Sequence, residues 1–323
     1  MSGLKNARGI KLLSPIFRFR DWLMQRTGLF SLKAKIKQHL FFKRLLREDK
    51  RKKMQIDKEL PLMVTDMLPN NQNIIRLVVS LTSYGKRVTD ALPYTLYSLL
   101  HQNILPYRIA VYLDEDHWSE ANLPTVLKEF QRMGVEFYYV EDLRSYKKLI
   151  PALPMFPDNP ILTVDDDLYY HENFIESFVN SYIWSDKHTV LGTVGRLVSF
   201  KDGKLLPYTQ WDTTRIGDVS RPVSFFGCGG CLYPPHVFDE EILNKKIFQR
   251  LAPTADDLWF WAMEQRCGVK TQLLPNFRTK LYTSVNRIEE YDLTQQGTLM
   301  YLNDTLGRND EQLNALLEYY EFY

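Results

Sequence analysis

Residues 161–170 read ILTVDDDLYY, an apolar run that leads directly into the three consecutive aspartates Asp165, Asp166 and Asp167. A short run of apolar and β-branched residues with polar residues at its end is typical of a buried strand. Three adjacent carboxylates repel one another, and the low dielectric constant of a cleft strengthens that repulsion. The stretch therefore predicts a buried strand that ends at an acidic functional site. The alternative is a solvated acidic turn or an acidic cluster at a helix N-terminus.

Strand patterns and helix patterns alternate along the chain on both sides of this stretch. Strands are predicted at residues 74–81, 107–113, 135–140 and 161–164, and helices at 89–102, 119–133 and 171–184. Repeated β-α-β units indicate an α/β fold with a mostly parallel central sheet and helices on both of its faces. The chain has 323 residues, 45% of them hydrophobic, which is enough for one large or two modest domains.

Polar residues follow each of the four predicted strands at the point where the strand ends. Because ligands bind beyond the carboxyl ends of the strands in such sheets, we expect these residues to converge on one cleft. They are Thr82, Ser83, Tyr84, Gly85, Lys86 and Arg87 after the first strand, Asp114, Glu115 and Asp116 after the second, Glu141, Asp142, Lys147 and Lys148 after the third, and the three aspartates after the fourth.

The aspartate cluster is a candidate site for a divalent cation. Carboxylate oxygens suit Mg²⁺ or Mn²⁺, and such ions commonly bind one or two protein carboxylates together with substrate phosphates. In an extended segment Asp165 and Asp167 point to one side and Asp166 points to the other. One division gives the metal to Asp167, and a sugar or ribose hydroxyl to Asp165 or Asp166.

A glycine-rich stretch and a second acidic cluster lie further along the chain. Residues 226–235 read FGCGGCLYPP, and its three glycines let the backbone approach a ligand closely; the alternative is a tight turn with no ligand. Asp256 and Asp257 fall in the first turn of a predicted helix that Thr254 is expected to cap. The helix dipole is a sufficient structural reason for acids at that position.

This ordered set of motifs resembles the nucleotide-sugar-dependent glycosyltransferases of the GT-A fold, akin to the large family 2 group and to bacterial surface-polysaccharide enzymes. The resemblance covers about residues 74–275. It rests on four stretches, VVSLTSYGKRV, YLDED, the KLIPAL…ILTVDDD unit and GCGGCLYPP…APTADDLWF. The resemblance implies a Rossmann-like GT-A sheet and a nucleoside-diphosphate sugar donor, for which UDP is the expected nucleotide.

The resemblance also implies roles for individual residues. Asp165 and Asp167 resemble the metal-binding acids, with Mn²⁺ or Mg²⁺ as the cofactor. The expected donor-binding residues are Thr82, Ser83, Tyr84, Arg87, Asp114, Lys147, Lys148, Asp165 and Asp166. Gly229, Gly230 and Trp259 are expected beside the donor sugar and the acceptor.

The acid pair Asp256 and Asp257 occupies the place of the general base in inverting relatives. The base is usually the second acid of the pair, which points to Asp257. The commoner pairing is Glu-Asp, so the Asp-Asp sequence leaves the division of roles open. With Asp257 as base, a carboxylate takes the proton of an acceptor hydroxyl and the sugar is transferred with inversion. The acceptor implied is a glycan or glycolipid of a surface polysaccharide.

The N-terminal part of the chain is strongly basic. Residues 1–60 hold 17 Lys and Arg against 5 Asp and Glu, whereas residues 61–323 hold 24 basic and 34 acidic residues. Two or three basic helices are predicted here, one of them starting at Ser14-Pro15, followed by the solvated charge run EDKRKKMQIDKE. Leu29, Leu32, Ile36 and Leu40 share one helical side. Binding to an anionic membrane surface is expected; a solvated or protein-docking arm is the alternative. No nucleic-acid partner is expected, because no aromatic-basic recognition motif accompanies the charge.

These patterns predict a basic helical arm at residues 1–65, a GT-A catalytic domain at 70–275 and a C-terminal helical extension at 276–323. No run reaches the roughly 18 apolar residues of a membrane span. Three cysteines argue against a disulfide scaffold, and Cys228, Cys231, Cys267 and His236 lack a regular zinc-ligand spacing. We therefore expect a cytoplasmic protein that is peripheral at the inner face of the membrane.

Two other functions are weighed against glycosyl transfer. A sugar-phosphate nucleotidyltransferase also uses a β-α sheet and metal-binding acids, but usually has a glycine- and basic-rich loop after its first strand, where SLTSYGKR has the single glycine Gly85. A non-catalytic, membrane-peripheral scaffold with a vestigial metal cleft is the other; the intact acids at both clusters argue against it.

Overall fold

The structure is a computed structural model that describes residues 29–63, 68, 75–213, 222–227, 229–274, 281–285, 303 and 307–322. The chain divides into two compact units, Met1–Arg51 and Lys52–Tyr323. Helix α1 (Leu29–Glu59) is a single helix that includes the charge run at 48–59. The predicted helix start at Ser14-Pro15 lies outside the described residues. Within the second unit, Ile56 of α1 is buried in a small cluster with Ala91, Tyr169 and Val285.

The remaining elements alternate between strands and helices before a more irregular second half. The strands are β1 (Val78–Thr82), β2 (Arg108–Asp114), β3 (Val135–Val140), β4 (Ile161–Thr163), β5 (Leu168–Tyr170), β6 (Thr189–Gly192), β7 (Gly195–Leu197), β8 (Phe200–Lys201), β9 (Lys204–Leu205), β10 (Asp212–Thr213), β11 (Val223–Phe225), β12 (Cys231–Tyr233), β13 (Lys270–Leu273) and β14 (Tyr282–Ser284). The helices after α1 are α2 (Arg87–Asp90), α3 (Leu92–Leu100), α4 (Thr125–Arg132), α5 (Ala152–Met155), α6 (Phe174–Trp184), α7 (Lys245–Leu251), α8 (Asp256–Arg266) and α9 (Arg308–Tyr320).

The central sheet has seven strands in the order β13-β6-β12-β4-β1-β2-β3. The four strands β4, β1, β2 and β3 are neighbours and all run parallel. Strand β12 runs antiparallel to both β4 and β6. The predicted α/β class with a mostly parallel central sheet is therefore confirmed, and the carboxyl ends of the four predicted strands lie side by side at one edge.

Both faces of the sheet are covered, as the sequence predicts. Alternate residues of each strand enter two different hydrophobic clusters, so that Val78 and Tyr112 lie in one and Val79 and Val111 lie in the other. Helix α8 packs in the first cluster, and helices α3, α4 and α6 pack in the second. Successive side chains of a strand point to opposite faces of the sheet, and this alternation produces the division into two clusters.

Several element boundaries differ from the sequence-based prediction. Residues 75–77 precede β1 without belonging to it, and residue 74 lies outside the described residues. The helix predicted at 119–133 begins only at Thr125, after Pro124, whose fixed φ suits a helix start. Strand β5 is absent from the prediction because it forms by pairing with the distant β14.

The described residues of the predicted C-terminal extension belong to the second unit. Leu313 and Leu316 of α9 are almost completely buried in the same cluster as α8. Strand β14 pairs antiparallel with β5, the strand that directly follows the aspartate cluster. The segment predicted as a helical extension thus contains a strand, which pairs next to the aspartate cluster, as well as a helix, which packs against α8.

Candidate active site

The three aspartates form a turn between β4 and β5. Strand β4 ends at Thr163, and the Val164 N–H donates a hydrogen bond to the Ser80 carbonyl oxygen of β1 (3.0 Å), which fixes the turn to the sheet. Asp166 is only 4% exposed. Its carboxylate accepts hydrogen bonds from the Ser83 hydroxyl (2.5 Å) and the Arg87 guanidinium (3.1 Å). The loops after β1 and β4 are therefore joined through Asp166.

Arg87 binds two of the three aspartates. Its guanidinium lies 3.1 Å from Asp166 Oδ1 and 3.0 Å from Asp167 Oδ2. The sequence predicted that Asp165 and Asp167 point to one side of the strand and Asp166 to the other. In the structure Asp166 and Asp167 share the Arg87 guanidinium, and Asp165 binds a different cation. The alternation does not apply because the extended strand has already ended at Thr163.

Lys148 is the cation that binds Asp165. It lies in a short 3₁₀ helix after β3 (Arg144–Lys148), and its side chain is 9% exposed. The ammonium is 3.2 Å from Asp165 Oδ1 and 3.9 Å from Asp256 Oδ2. The Ser80 hydroxyl donates a hydrogen bond to the Lys148 carbonyl oxygen (2.5 Å). One buried side chain therefore contacts both acidic clusters that the sequence singled out.

The acid pair Asp256 and Asp257 opens helix α8, as predicted. The expected cap by Thr254 is wrong: Ala255 occupies the N-cap position and makes no side-chain hydrogen bond, and the Thr254 hydroxyl contacts Asn303 and Gln312 instead. Asp257 Oδ1 accepts a hydrogen bond from the Gly227 N–H (2.7 Å).

The two clusters together hold more negative than positive charge. Among the described residues, the carboxyl groups of Asp165, Asp166, Asp167 and Asp256 lie within 4 Å of two cations, Arg87 and Lys148, and the charge of Lys148 also acts on Asp257. Burial, with repulsion from the neighbouring Asp165 and Asp166, raises the pKa of Asp167 to about 7, against the opposing charge of Arg87. Burial and the neighbouring Asp256 raise the pKa of Asp257 well above its usual range, while Lys148 and the Gly227 N–H oppose the rise. Such perturbed carboxyl groups cluster at functional sites.

The aspartate turn offers carboxylate oxygens to a divalent cation. Asp165 Oδ1 and Asp167 Oδ2 bind protein cations, whereas Asp165 Oδ2 and Asp167 Oδ1 accept no hydrogen bond from another residue in the described part of the chain. Both side chains are about one-quarter exposed, at 23% and 27%. Among the described residues no group of three acidic, His or Cys side chains is arranged for a metal. Two carboxylates plus diphosphate oxygens is the ligand set that Mg²⁺ and Mn²⁺ commonly adopt.

The other predicted donor residues lie at the same edge of the sheet. Thr82 ends β1, and its hydroxyl donates a hydrogen bond to the Tyr112 carbonyl oxygen (2.8 Å). Tyr84 is exposed, with the Arg87 guanidinium 5.4 Å from its ring centroid. Asp114 is buried at the end of β2, where its carboxylate accepts hydrogen bonds from the backbone and the imidazole of His117. Lys147 is buried, and its ammonium binds Asp142 at 2.6 Å.

The residues predicted beside the sugar and the acceptor are less accessible. Gly229 and Gly230 have φ values of +77° and +102°, which require glycine. A Cβ atom at Gly229 would overlap the Tyr282 hydroxyl, and one at Gly230 would lie 2.8 Å from Phe174. Trp259 is fully buried, and its indole N–H donates a hydrogen bond to the Ile242 carbonyl oxygen (3.1 Å). The structure places Trp259 in the core, so it is not brought to the aspartates.

Sequence reasoning missed three residues that contact the site. The Ser145 hydroxyl donates a hydrogen bond to Asp256 Oδ1 (2.7 Å), His117 covers Asp114, and the Gly227 N–H binds Asp257. Gly227 lies inside the glycine-rich stretch that the sequence had already singled out. No motif in the sequence around Ser145 or His117 indicates the contacts that these two residues make.

The comparisons with known proteins give similarity only at the level of structure. The sequence matches no protein-family model and no curated protein. S. aureus TarS 1–349 in complex with UDP is similar over 77% of this chain and 72% of that chain, with 14% identity and a TM-score of 0.42. A cytidylyltransferase from Leptospira borgpetersenii serovar Hardjo-bovis is similar over 74% of this chain and 96% of that chain (12% identity, TM-score 0.41). The UTP-bound UGPase from Acinetobacter baumannii is similar over 72% of this chain and 99% of that chain (11% identity, TM-score 0.37). Because these sequence identities and TM-scores are low, the assignment to the α/β class is based on the observed strand order and directions of the central sheet and not on these similarities.

The raised pKa of Asp167 predicts a pH-dependent cost in stability. An unfolded aspartate titrates near pH 3.9, so between about pH 4 and pH 7 the folded chain holds the Asp167 proton more tightly than the unfolded chain does. The contribution of the Asp167 carboxyl group to the free energy of unfolding is therefore largest below pH 4 and is lost as the pH rises to 7. Asp167→Asn should raise the free energy of unfolding at pH 8 by about 1–3 kcal/mol, with the gain vanishing toward pH 4.

Urea denaturation in EDTA at several pH values measures this difference. The control is Asp202→Asn, in the exposed turn between β8 and β9, which should shift stability little at any pH. A gain for Asp167→Asn that is the same at pH 4 and pH 8 would contradict the assigned titration.

Proposed function

We propose that this protein is a GT-A-type glycosyltransferase that moves a sugar from a nucleoside diphosphate, with UDP as the nucleotide to test first, to a hydroxyl group of a glycan or glycolipid. The observation that carries the proposal is the convergence of two acidic clusters at the carboxyl ends of parallel strands. Asp165 and Asp256 share contacts with one lysine, although they lie far apart in the sequence, one directly after β4 and the other at the start of α8. One cluster suits a donor diphosphate with its cation, and the other supplies a base.

The donor side consists of the loops after β1, β2 and β4. Arg87 is one-third exposed and lies beside the partly exposed Asp167, so its guanidinium is available to a diphosphate at the same edge. Asp114 at the end of β2 lies where a base or ribose of the donor is expected. Mn²⁺ or Mg²⁺ bound by Asp165 and Asp167 would neutralise negative charge on the departing diphosphate.

The acceptor side consists of Asp257 and the groups that hold it. A hydroxyl group is a weak nucleophile until a carboxylate takes its proton in the transition state. Burial and Asp256 raise the pKa of Asp257, which makes its carboxylate a stronger base than an exposed aspartate. The Gly227 N–H fixes Oδ1, so that Oδ2 is the oxygen available to an acceptor hydroxyl. Attack from this side, opposite the diphosphate, gives inversion at the anomeric carbon.

A panel of nucleotides and nucleotide sugars tests the proposal. We expect UDP and one UDP-sugar to raise the melting temperature with Mn²⁺ and much less with EDTA. With the donor so identified, Asp257→Asn should lower turnover by about 10²–10⁴-fold because the base is lost, while donor affinity is kept. Proton NMR of the product should show inverted anomeric configuration.

The same panel separates the alternatives. Pyrophosphate release from a nucleoside triphosphate and a sugar phosphate would identify a nucleotidyltransferase instead. Binding of UDP and Mn²⁺ without any transfer or hydrolysis of the donors would favour the non-catalytic scaffold. Full turnover in Asp257→Asn would remove that residue from the role of base.

We also propose that the basic arm binds an anionic membrane surface. No helix in the described part of the chain is long and apolar enough to cross a membrane. Helix α1 exposes large apolar side chains at Ile36 and Leu40, which are 51% and 60% exposed, among the basic residues Lys37, Lys43 and Arg44. Apolar side chains beside lysines and arginines suit the interface of an anionic bilayer.

Replacing Ile36 and Leu40 together by glutamate should reduce binding to phosphatidylserine-containing liposomes, as measured by co-sedimentation. The change removes apolar contact and adds repulsion from the anionic surface. The control is Leu62→Glu, at a leucine outside the first unit that is 82% exposed, which should leave liposome binding unchanged. Equal binding of both variants and the wild type would exclude this role for α1.

A further inference from the structure

Lys148 contacts carboxylates on both sides of the proposed reaction. Its ammonium binds Asp165 of the donor-side turn at 3.2 Å and lies 3.9 Å from Asp256 at the start of α8. Asp256 Oδ2 is buried and has no hydrogen-bond partner among the described residues, so the Lys148 ammonium is the nearest compensating charge. Breaking a buried pair of this kind leaves an uncompensated charge, which is strongly unfavourable.

The position of Lys148 leaves it little access to a substrate. Its side chain is only 9% exposed, and the short 3₁₀ helix that carries it is tied to β1 through the Ser80 hydroxyl. Carboxylates of both acidic clusters lie within 4 Å of its ammonium, Asp165 at 3.2 Å and Asp256 at 3.9 Å. A fixed cation between two acidic clusters is suited to hold them at a set separation.

Gly227 provides the space for this arrangement. A Cβ atom at residue 227 would overlap Lys148 Nζ and would lie 3.0 Å from Asp257 Oδ1. The Gly227 N–H is also the group that binds Asp257 Oδ1. Its neighbour Phe226 is fixed by a hydrogen bond from its N–H to the Val194 carbonyl oxygen (3.0 Å). The backbone at 227 thus touches both the cation and the carboxylate of the proposed base.

We infer that Lys148 is a positioning residue that joins the donor-side aspartates to the acceptor-side acid pair without touching substrate, and that Gly227 is required to give its ammonium room. This role rests on the proposed function and adds to it a coupling between the two halves of the site. Without the ammonium, Asp165, Asp256 and Asp257 lose their shared counter-charge and repel one another.

The test follows Asp257 directly in the full chain without metal or nucleotide. The titration of its carboxyl group is measured by ¹³C NMR, with the resonance assigned through Asp257→Asn. The groups that act on Asp257 from the surrounding elements are Asp256, Lys148, Asp165, Gly227, Tyr146, Tyr233 and Glu264. Affinity for UDP with Mn²⁺ is measured by calorimetry on the same proteins.

Lys148→Met should move the titration midpoint of Asp257 upward by about 1–3 pH units, because an opposite charge at this range favours the ionised carboxylate. Lys148→Arg should move it less, since the charge is kept. Gly227→Ala should move the midpoint in the same direction by displacing the ammonium. The control Gly203→Ala, at a glycine with φ +76° and open space around it, carries the strain of a glycine replacement and should leave Asp257 unchanged.

An unchanged midpoint in both Lys148→Met and Gly227→Ala would overturn the inference, and a loss of UDP affinity in the same variants would then assign Lys148 to the diphosphate. A shifted midpoint supports the inference even where wild-type protein binds no UDP. In that case the proposed function fails, whereas the positioning of Asp257 by Lys148 stands.

Discussion

Within the described part of the chain, five carboxyl groups share two cations at the carboxyl ends of the central strands, and the rest of the site depends on this unequal sharing of charge. Arg87 holds Asp166 and Asp167, and Lys148 holds Asp165 near Asp256. The excess of negative charge is removed in one of two ways, by protons or by a bound cation. The raised pKa values of Asp167 and Asp257 are the first of these. The second would use the carboxylate oxygens of Asp165 and Asp167 that have no partner among the described residues.

The topology of the sheet explains how these groups come together. Strands β4, β1 and β2 are parallel neighbours, so the loops that follow them lie side by side. The antiparallel β12 pairs with β4 on its other side, which brings the glycine-rich stretch before β12 to the same edge. Gly227 lies in that stretch and binds Asp257, so this carboxylate is placed by the sheet as well as by its own helix. The donor half and the acceptor half of the proposed site are therefore separate in sequence but adjacent in the fold.

Much of this arrangement could be predicted from the sequence, because each central strand is an apolar run with polar residues at its end. The predicted cluster of Asp165, Asp166 and Asp167 at the end of β4 follows from that pattern alone. The division of the aspartates between Arg87 and Lys148 could not be predicted, since it depends on a turn outside the strand. The burial of Lys148 was also hidden, because lysine is almost never fully buried without a partner and the partner Asp256 is distant in sequence. The pairing of β5 with β14 and the packing of α9 against α8 depend on contacts of the same long range.

The most direct test of the central claim is the position of manganese in crystals grown with Mn²⁺ and UDP, located by its anomalous scattering. The expected result is one strong peak within coordination distance, about 2.0–2.3 Å, of carboxylate oxygens of Asp165 and Asp167, and in contact with the diphosphate. Manganese elsewhere, or UDP bound at this edge with Arg87 and Lys148 on its phosphates and no metal at the aspartates, would contradict the account.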